Sequence, residues 1–462
     1  MKLRSAKFFE VIFLFILSLT PLLWFGDNQI ILGHDSGFRQ NPTNHLRNLF
    51  YSWNENNNFG YDWTIFKGFL ITQAPEAIFT ILTGSVSKGQ SLTLVLWFIA
   101  IGFSMYICLN AFFSDRKFWI LRVFGSVFYI YNFFLLQAWF IAERAKFSIF
   151  AALPLGFLII YKASTKEYSI LKATVLFSLT LFIFNGGGAP TFFGSLILVY
   201  GLTIAYLTTI NILKNGKKEI YYSCKLALSL IFGSILINAY WILPQIALLF
   251  NNYSFSLASF GGIQGILGWE ATVSKNASFL NLFRLEGIPD WHDNLLHPYA
   301  DNYIHNPLLI VLSFVFIIII LLALLFRRAF AKEERKDKLF FALFLILLVG
   351  FIFTAGSHPP FGFIYTLLIK FVPGFTIFRS SFYKFGPILW FGMVFLTAYS
   401  LNMLVLKFIN NKFFYRLTGI LAILFVLLYH YPFFTIDFFL WNKPFTTKVK
   451  IPPYVAEMGE YL

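Results

Sequence analysis

A polar segment, residues 33–39, follows the first long apolar run of the chain and reads Gly-His-Asp-Ser-Gly-Phe-Arg. A carboxylate next to an apolar run experiences a low dielectric, in which its field acts strongly. Asp35 can act there as a general base toward a hydroxyl group. Together with His34, water and phosphate oxygens, it is also a candidate ligand for a divalent cation. A solvated aspartate in a Ser-Gly turn is the alternative, and the spacing leaves these interpretations open.

Aromatic residues alternate with polar residues in the next part of the chain, at 49–54 and 58–63. Rings can stack on the C–H faces of sugars, while carboxylates and amides pair with sugar hydroxyl groups. Trp53, Asp62 and Trp63 are therefore candidates for binding a sugar, and the neighbouring Arg39 joins them. An aromatic belt at the level of the lipid headgroups is an equally good interpretation.

A second polar stretch lies within residues 250–306 and contains Glu286, Asp290 and His292. The histidines of this stretch are irregularly spaced and match no known metal-site pattern. A solvated polar loop explains this composition better than a binding site does. We retain the three residues as candidates for binding the hydroxyl groups of an acceptor.

A third candidate is the stretch 378–385, Phe-Arg-Ser-Ser-Phe-Tyr-Lys-Phe, which contains Arg379 and Lys384. An arginine offers a bidentate fork to a phosphate, and a lysine offers a point charge. The two cations, with His358 upstream, are candidates for binding a lipid-linked phosphate. Snorkelling of the cations to lipid headgroups is the alternative.

The elements that must position these residues are membrane-spanning helices. The 462-residue chain is 58% hydrophobic and 12% charged, whereas soluble domains contain about 25% charged residues. Two cysteines give no disulfide framework. Because roughly 20 apolar residues cross a bilayer as a helix, we predict an all-α polytopic bundle with about eleven spans. The spans are expected near residues 8–25, 90–112, 118–139, 147–161, 169–185, 191–213, 222–249, 307–326, 339–355, 385–406 and 416–436.

The distribution of positive charge predicts the topology. Most Lys and Arg fall in short loops on one side, as the positive-inside rule expects of the cytoplasmic side. The net charge of +15 is thus a topology signal, and it does not indicate a nucleic-acid partner. We predict a multi-pass plasma-membrane protein with a cytoplasmic N-terminus and an outer C-terminus. Arg379 and Lys384 then lie on the side where cations are disfavoured.

The same topology predicts the domain organisation. Residues 1–440 form a transmembrane domain with long outer loops at about 26–89, 250–306 and 356–384, the last with an interfacial or re-entrant helix. Residues 441–462 begin an outer segment that reads like the entry to a further outer domain, and the sequence leaves open whether the chain is a fragment of a longer protein.

An Asp shortly after the first span, in a long outer loop, resembles the GT-C glycosyltransferases. More narrowly, the chain resembles the N-terminal membrane region of α-(1→3)-arabinofuranosyltransferases and their bacterial relatives. The resemblance rests on short motifs spread over most of the chain: Asp35 with Asn41-Pro42, the stretch 49–53, Phe59-Gly60, the stretch 238–244 (Asn-Ala-Tyr-Trp-Ile-Leu-Pro), the stretch 378–385 and the stretch 451–454 (Ile-Pro-Pro-Tyr).

The resemblance implies transfer of a sugar from a polyprenyl-phosphate donor to a glycan, lipid or protein acceptor of the cell envelope, on the outer face of the membrane. It implies that Asp35 is the catalytic base and that Arg379 and Lys384 hold the donor phosphate. A divalent cation is a candidate cofactor. A multi-span transporter and a non-catalytic membrane protein of envelope assembly are the alternatives.

Cysteine labelling in intact cells tests the predicted topology. In an Asp293→Cys variant the thiol is expected to react with a membrane-impermeant maleimide, because residues 250–306 are predicted to lie outside. In a Lys336→Cys variant the thiol is expected to react only after the membrane is opened. Labelling of position 336 from the outside would contradict the predicted orientation.

Overall fold

The computed structural model describes residues 2–32, 38–54, 60–186, 189–292, 297–326, 334–441 and 445–454. Helices make up most of this part of the chain, as the prediction of an all-α protein requires. They are α1 (Lys2–Ser18), α2 (Pro42–Asn48), α3 (Phe69–Thr83), α4 (Val86–Phe112), α5 (Trp119–Ile130), α6 (Phe133–Trp139), α7 (Arg144–Ser164), α8 (Ile170–Ile183), α9 (Phe193–Asn215), α10 (Lys218–Ser259), α11 (Gly262–Ser274), α12 (Phe279–Phe283), α13 (Ala300–His305), α14 (Pro307–Ser313), α15 (Val315–Leu325), α16 (Glu334–Ala355), α17 (Gly362–Phe371), α18 (Ser381–Phe408), α19 (Lys412–Tyr429) and α20 (Pro432–Thr435).

Nine helical stretches within the described residues are long and apolar enough to cross a membrane. They confirm an all-α helical membrane protein, and each coincides with a predicted span: Val86–Phe112, Arg116–Gln137, Arg144–Ser164, Phe193–Asn215, Lys218–Leu248, Pro307–Leu325, Asp337–Ala355, Ser381–Phe408 and Lys412–Tyr429. The predicted span 169–185 coincides with the shorter helix α8, whereas the predicted span 8–25 only overlaps α1, which begins and ends earlier in the chain.

Local sequence determines where several of these helices begin. The side chains of Ser85, Asn132 and Ser169 each accept a hydrogen bond from a main-chain N–H in the first turn of α4, α6 and α8. Such caps satisfy N–H groups that have no partner within the helix. Gly84 separates α3 from α4 with a φ of +63°, a conformation that glycine adopts without steric cost.

The core of the bundle surrounds α18, most of whose residues are buried between α5, α7, α9, α15 and α16. Two glycines allow α16 and α18 to pack closely. A Cβ on Gly350 would lie 2.9 Å from the Leu389 main chain, and a Cβ on Gly392 would lie 3.1 Å from the Leu347 main chain. Close approach at small residues is typical of helix packing in membranes, where helices associate without a hydrophobic driving force.

Segments that are predicted to lie on the same side of the membrane contact one another. At one end of the bundle, Arg122 donates to Glu10 of α1 and to the Phe113 and Asp115 carbonyls of the α4–α5 turn. We call this the inner end, following the charge distribution. At the other end the predicted outer loops 250–306 and 356–384 contact each other through Trp269–Ser380 and Ser274–Ser357, and we call this the outer end. The region 356–384 contains the helix α17, while its interfacial or re-entrant placement stays a prediction.

Within the described residues, three two-stranded sheets lie at the outer end, and one of them joins distant parts of the chain. Strand β1 (Gln29–Ile31) pairs antiparallel with β6 (Lys448–Lys450), with Gln29 opposite Lys450. The segment after α20 is thereby fixed beside the start of the first outer loop. The other pairs are β2 (Trp53–Asn54) with β3 (Tyr61–Asp62), and β4 (Leu440–Trp441) with β5 (Phe445–Thr446).

Candidate functional site at the outer end

A buried ion pair between α3 and α7 organises the first outer loop. Arg144 Nη2 donates to Glu76 Oε2 at 2.7 Å, and the two side chains are only 4% and 1% exposed. The other carboxylate oxygen accepts from Gln90 Nε2 at 3.3 Å and from the main-chain N–H of Arg39 at 3.2 Å. Both oxygens of Glu76 are therefore satisfied, as a buried carboxylate requires. We call Glu76, Gln90 and Arg144 the Glu76 cluster.

The Glu76 cluster holds both flanks of the segment 33–37. On one side Gln90 Oε1 accepts from the Ile31 N–H at 2.8 Å. On the other side the Phe38 ring centroid lies 5.2 Å from the Arg144 guanidinium carbon, next to the bond from the Arg39 N–H. The candidate base Asp35 and the candidate metal ligand His34 lie outside the described residues. The chain on either side of them is fixed to one hydrogen-bonded network.

The candidate sugar-binding residues Trp53, Asp62 and Trp63 lie together in the β2–β3 hairpin. Trp53 is exposed and lies opposite Asp62 in the strand register. The Asp62 carboxylate accepts from the Thr64 N–H at 2.8 Å, and the bonds from Thr64 lower the pKa of Asp62. Lys67 supports the hairpin by donating to the Leu49 and Tyr51 carbonyls. The hairpin thus presents an exposed ring beside an ionised carboxylate.

A half-buried histidine lies between the hairpin and the Glu76 cluster. The His45 ring contacts the Trp63 ring, with centroids 5.8 Å apart. Burial, together with the positive charges of Arg39 and Arg144, lowers the pKa of His45 to about 4. His45 is therefore neutral near pH 7, and the positive charge on this side belongs to the arginines.

Asp290, a candidate from the second outer loop, connects that loop to the start of α18. Its Oδ2 accepts from Tyr383 Oη at 2.8 Å and from Gln137 Nε2 at 2.9 Å. The amide nitrogen of Gln137 also lies 2.9 Å from His297 Nε2. Burial lowers the pKa of His297 to about 4 despite the nearby Asp290 charge. We call Gln137, Asp290, His297 and Tyr383 the Asp290 cluster.

Helix α7 joins the two clusters through its first turn. Arg144 belongs to the Glu76 cluster, while Lys146 Nζ lies 4.6 Å from the ring centroid of Tyr383 in the Asp290 cluster. Lys146 also pairs with Glu143 at 2.5 Å. The first turns of α7 and α18 therefore lie side by side at the outer end.

Arg379 and Lys384, the candidate phosphate ligands, both lie against aromatic rings. The Arg379 guanidinium carbon is 3.9 Å from the Phe260 ring centroid, and Lys384 Nζ is 3.7 Å from the Phe192 ring centroid. Such cation–π contacts are attractive, and desolvation strengthens them. Burial lowers the pKa of Arg379, although a guanidinium remains protonated near neutral pH. Within the part of the chain that the structure describes, no carboxylate lies within 4 Å of Arg379.

A buried glutamate that the sequence analysis did not single out fixes the turn between these two cations. Glu270 of α11 accepts from the Ser381 N–H at 3.0 Å, at the start of α18. Burial raises the pKa of Glu270 to about 8, although bonds from Ser381 and Ser357 oppose the shift. The adjacent Ser380 Oγ accepts from Trp269 Nε1 at 2.9 Å. Helix α11 thus holds the Arg379–Lys384 segment by two neighbouring residues.

The remaining candidates lie apart from these clusters. Glu286 is buried and pairs with Arg284 at 2.8 Å, and burial raises its pKa to about 8. Its carboxylate is engaged within the fold, away from any open surface. His292 is exposed. His358 Nδ1 lies 2.7 Å from the Pro359 carbonyl oxygen.

Among the residues described, no group of three His, Cys, Asp or Glu side chains could hold a metal ion.

The arrangement combines fixed cations, hydrogen-bonding carboxylates and exposed aromatic rings at one end of the bundle. Sequence reasoning missed Glu76, Gln137, Arg144, Lys146 and Glu270. A signal did exist for Arg144 and Lys146, because both are cations on the predicted outer side, where the positive-inside rule disfavours them. The same argument singled out Arg379 and Lys384.

Breaking the Glu76–Arg144 pair is expected to destabilise the protein strongly. An Arg144→Met variant leaves the Glu76 carboxylate buried without its counter-ion, which costs about 3–5 kcal/mol. The measurement is the thermal unfolding midpoint of the purified chain in detergent. Adding Glu76→Gln to Arg144→Met is expected to recover much of the loss, because the uncompensated charge is then gone.

The exposed pair of Asp115 and Lys117, at 4.0 Å, provides the matched control. An Asp115→Asn variant is expected to change stability by no more than about 1 kcal/mol, as surface pairs do. Equal effects of Arg144→Met and Asp115→Asn would contradict an organising role for the Glu76 cluster.

No family model, curated protein or solved structure is detectably similar to this chain. The functional interpretation therefore depends on the geometry of the outer end and on the short motifs of the sequence.

Proposed function

We propose that this protein is a GT-C-type glycosyltransferase that uses a polyprenyl-phosphate sugar donor. On this proposal Asp35 is the base, Arg379 and Lys384 bind the donor phosphate, and the acceptor is a glycan, lipid or protein of the cell envelope. Residues of the first and second outer loops, including Trp53, Asp62 and Asp290, bind sugar hydroxyl groups and faces. The site lies at the outer end of the bundle.

The observation that carries the proposal is the environment of Arg379. Its guanidinium is half-buried against Phe260, with no carboxylate of the described residues at ion-pair distance. A desolvated cation requires an anionic partner or water. A phosphate at the membrane interface supplies that anion, and the Phe-rich surroundings of 375–385 suit the attached lipid tail.

The described residues on either side of the 33–37 segment give independent support. These flanking residues are bound to the cluster of Glu76, Gln90 and Arg144. Arg144 is the first residue of α7, and the same helix contains Lys146, whose ammonium group lies over the Tyr383 ring. Tyr383 is the residue before Lys384. The loop that carries the proposed base and the segment that carries the proposed phosphate ligands are thus attached to neighbouring helix ends.

The proposed step is a direct displacement with inversion. Asp35 accepts the proton of the acceptor hydroxyl as its oxygen forms a bond to the anomeric carbon of the sugar. The bond between that carbon and the phosphate oxygen breaks, and the electron pair leaves with the polyprenyl phosphate. Arg379 and Lys384 stabilise the negative charge that develops on this leaving group. No nucleotide is consumed, so no nucleotide-binding fold is needed.

We also propose that α1 and α8 cross the membrane, which together with the nine long apolar helices gives eleven spans. Helix α1 is followed directly by the 3₁₀ helix Thr20–Leu23, which lengthens it. Helix α8 packs between α7 and α10.

The distribution of charge along the spans favours this proposal over a transporter. Transporters place ionisable residues near the middle of the membrane. Here the middle third of each of the nine long apolar helices contains no Asp, Glu, Lys or Arg. The buried Glu10–Arg122 pair lies at the inner end, where Arg122 also binds the α4–α5 turn.

Donor titration tests the role of Arg379. A charged hydrogen bond contributes about 1.5–3 kcal/mol, so Arg379→Ala is expected to raise the dissociation constant of a polyprenyl-phosphate analogue roughly tenfold to a hundredfold. Arg379→Lys is expected to restore only part of the affinity, because the fork geometry is lost. Lys384→Ala is expected to weaken donor binding more than acceptor binding.

Lys370 supplies the control, since it is an exposed cation in the same outer region. Lys370→Ala removes the same charge and is expected to leave the donor dissociation constant unchanged. Equal donor affinities of wild type, Arg379→Ala and Arg379→Lys would contradict the proposal. They would indicate that Arg379 snorkels to lipid headgroups.

A further inference from the structure

A cavity of about 570 Å³ opens at the inner end, far from the site described above. It lies between α1, the start of α5 and α19. Its walls are mostly apolar and include Phe13, Trp119, Val123, Ile423 and Leu427. The volume falls within the range of about 300–1,000 Å³ that is typical of small-molecule sites.

Two arginines line this cavity together with the apolar walls. Arg116 precedes α5, and Arg416 lies in the first turns of α19. Both side chains are exposed. Among the described residues, no carboxylate lies within 4 Å of either guanidinium. The cavity therefore combines a doubly positive mouth with an apolar interior.

Glu10 also lines the cavity, but its charge is already neutralised. Its Oε1 accepts from Arg122 Nη2 at 2.6 Å, and its Oε2 accepts from Arg122 Nε at 2.8 Å. Tyr106 Oη donates to the same Oε2 at 3.1 Å. With both oxygens engaged, Glu10 leaves the positive charge of Arg116 and Arg416 available to a ligand.

We propose that this cavity is a specific site for an anionic phospholipid of the inner leaflet. The phosphate binds between Arg116 and Arg416, and an acyl chain occupies the apolar slot between α1, α5 and α19. Basic pockets between helices at the cytoplasmic side of a membrane bind anionic headgroups, because their positive side chains attract the negative charge of the lipid. The bound lipid bridges three helices that meet at the inner end, independently of the chemistry at the outer end.

Lipid titration followed by native mass spectrometry of the full chain tests the charge of the site. Phosphatidylglycerol is expected to bind wild type at least about tenfold more tightly than phosphatidylcholine, because the arginines favour net negative charge. An Arg116→Gln/Arg416→Gln variant is expected to lose that preference. A Lys407→Gln/Lys412→Gln variant removes the same charge from exposed inner-end positions outside the cavity, and it is expected to retain the preference.

A second pair of variants tests the slot. Leu424 lines the cavity and is 45% exposed, whereas Leu421 is exposed on the same helix outside it. Leu424→Trp is expected to fill the slot and weaken phosphatidylglycerol binding, while Leu421→Trp is expected to have no effect. Glycerol phosphate, which has no acyl chain, is expected not to compete.

Tryptophan quenching gives a test that leaves the arginines in place. Phosphatidylglycerol with brominated acyl chains is expected to quench wild-type fluorescence in a saturable step at low mole fraction, and Trp119→Phe is expected to lose that step. The proposal would be overturned if wild type bound the two lipids equally, or if the lysine variant lost the preference as the arginine variant does. It would also be overturned if glycerol phosphate competed effectively, or if quenching were unchanged in Trp119→Phe.

Discussion

The outer end of the bundle depends on the buried carboxylate of Glu76. A buried charge is costly unless a counter-ion and hydrogen-bond donors satisfy it. Glu76 obtains its partners from three separate parts of the chain: the guanidinium of Arg144, the amide of Gln90 and the main-chain N–H of Arg39. One side chain thus joins α3, α4, α7 and the first outer loop. The described residues on either side of 33–37, Ile31 and Arg39, are held by this group, so the ion pair between α3 and α7 fixes the two ends from which that segment extends.

The long buried helices α7 and α18 give this arrangement a rigid base. Most residues of both helices are buried, and glycine contacts bring α16 close to α18. A functional group is best positioned when it lies on a rigid element. The first turns of α7 and α18 carry Lys146, Tyr383 and Lys384, while Glu270 holds the start of α18 from outside. Outer loops then add polar and aromatic groups above this base.

Sequence patterns predicted the spans well because hydrophobic length is a local property. They predicted the polar contacts poorly because those join residues far apart in the chain. Arg144 and Glu76 are separated by 68 residues, and Tyr383 and Asp290 by 93. No local pattern relates such partners. Glu286 resembled the other loop carboxylates in sequence, and only the structure distinguishes its buried pairing with Arg284 from the shared contacts of Asp290.

Transfer measured in proteoliposomes tests the central claim most directly. Purified protein is supplied with a polyprenyl-phosphate sugar and an acceptor, and wild type is compared with Asp35→Asn and with Asp27→Asn, an exposed aspartate of the same loop. Loss of general-base catalysis is expected to slow Asp35→Asn by roughly 10²–10⁴-fold at unchanged thermal stability, while Asp27→Asn retains wild-type transfer. Transfer by Asp35→Asn at the wild-type rate would contradict the account.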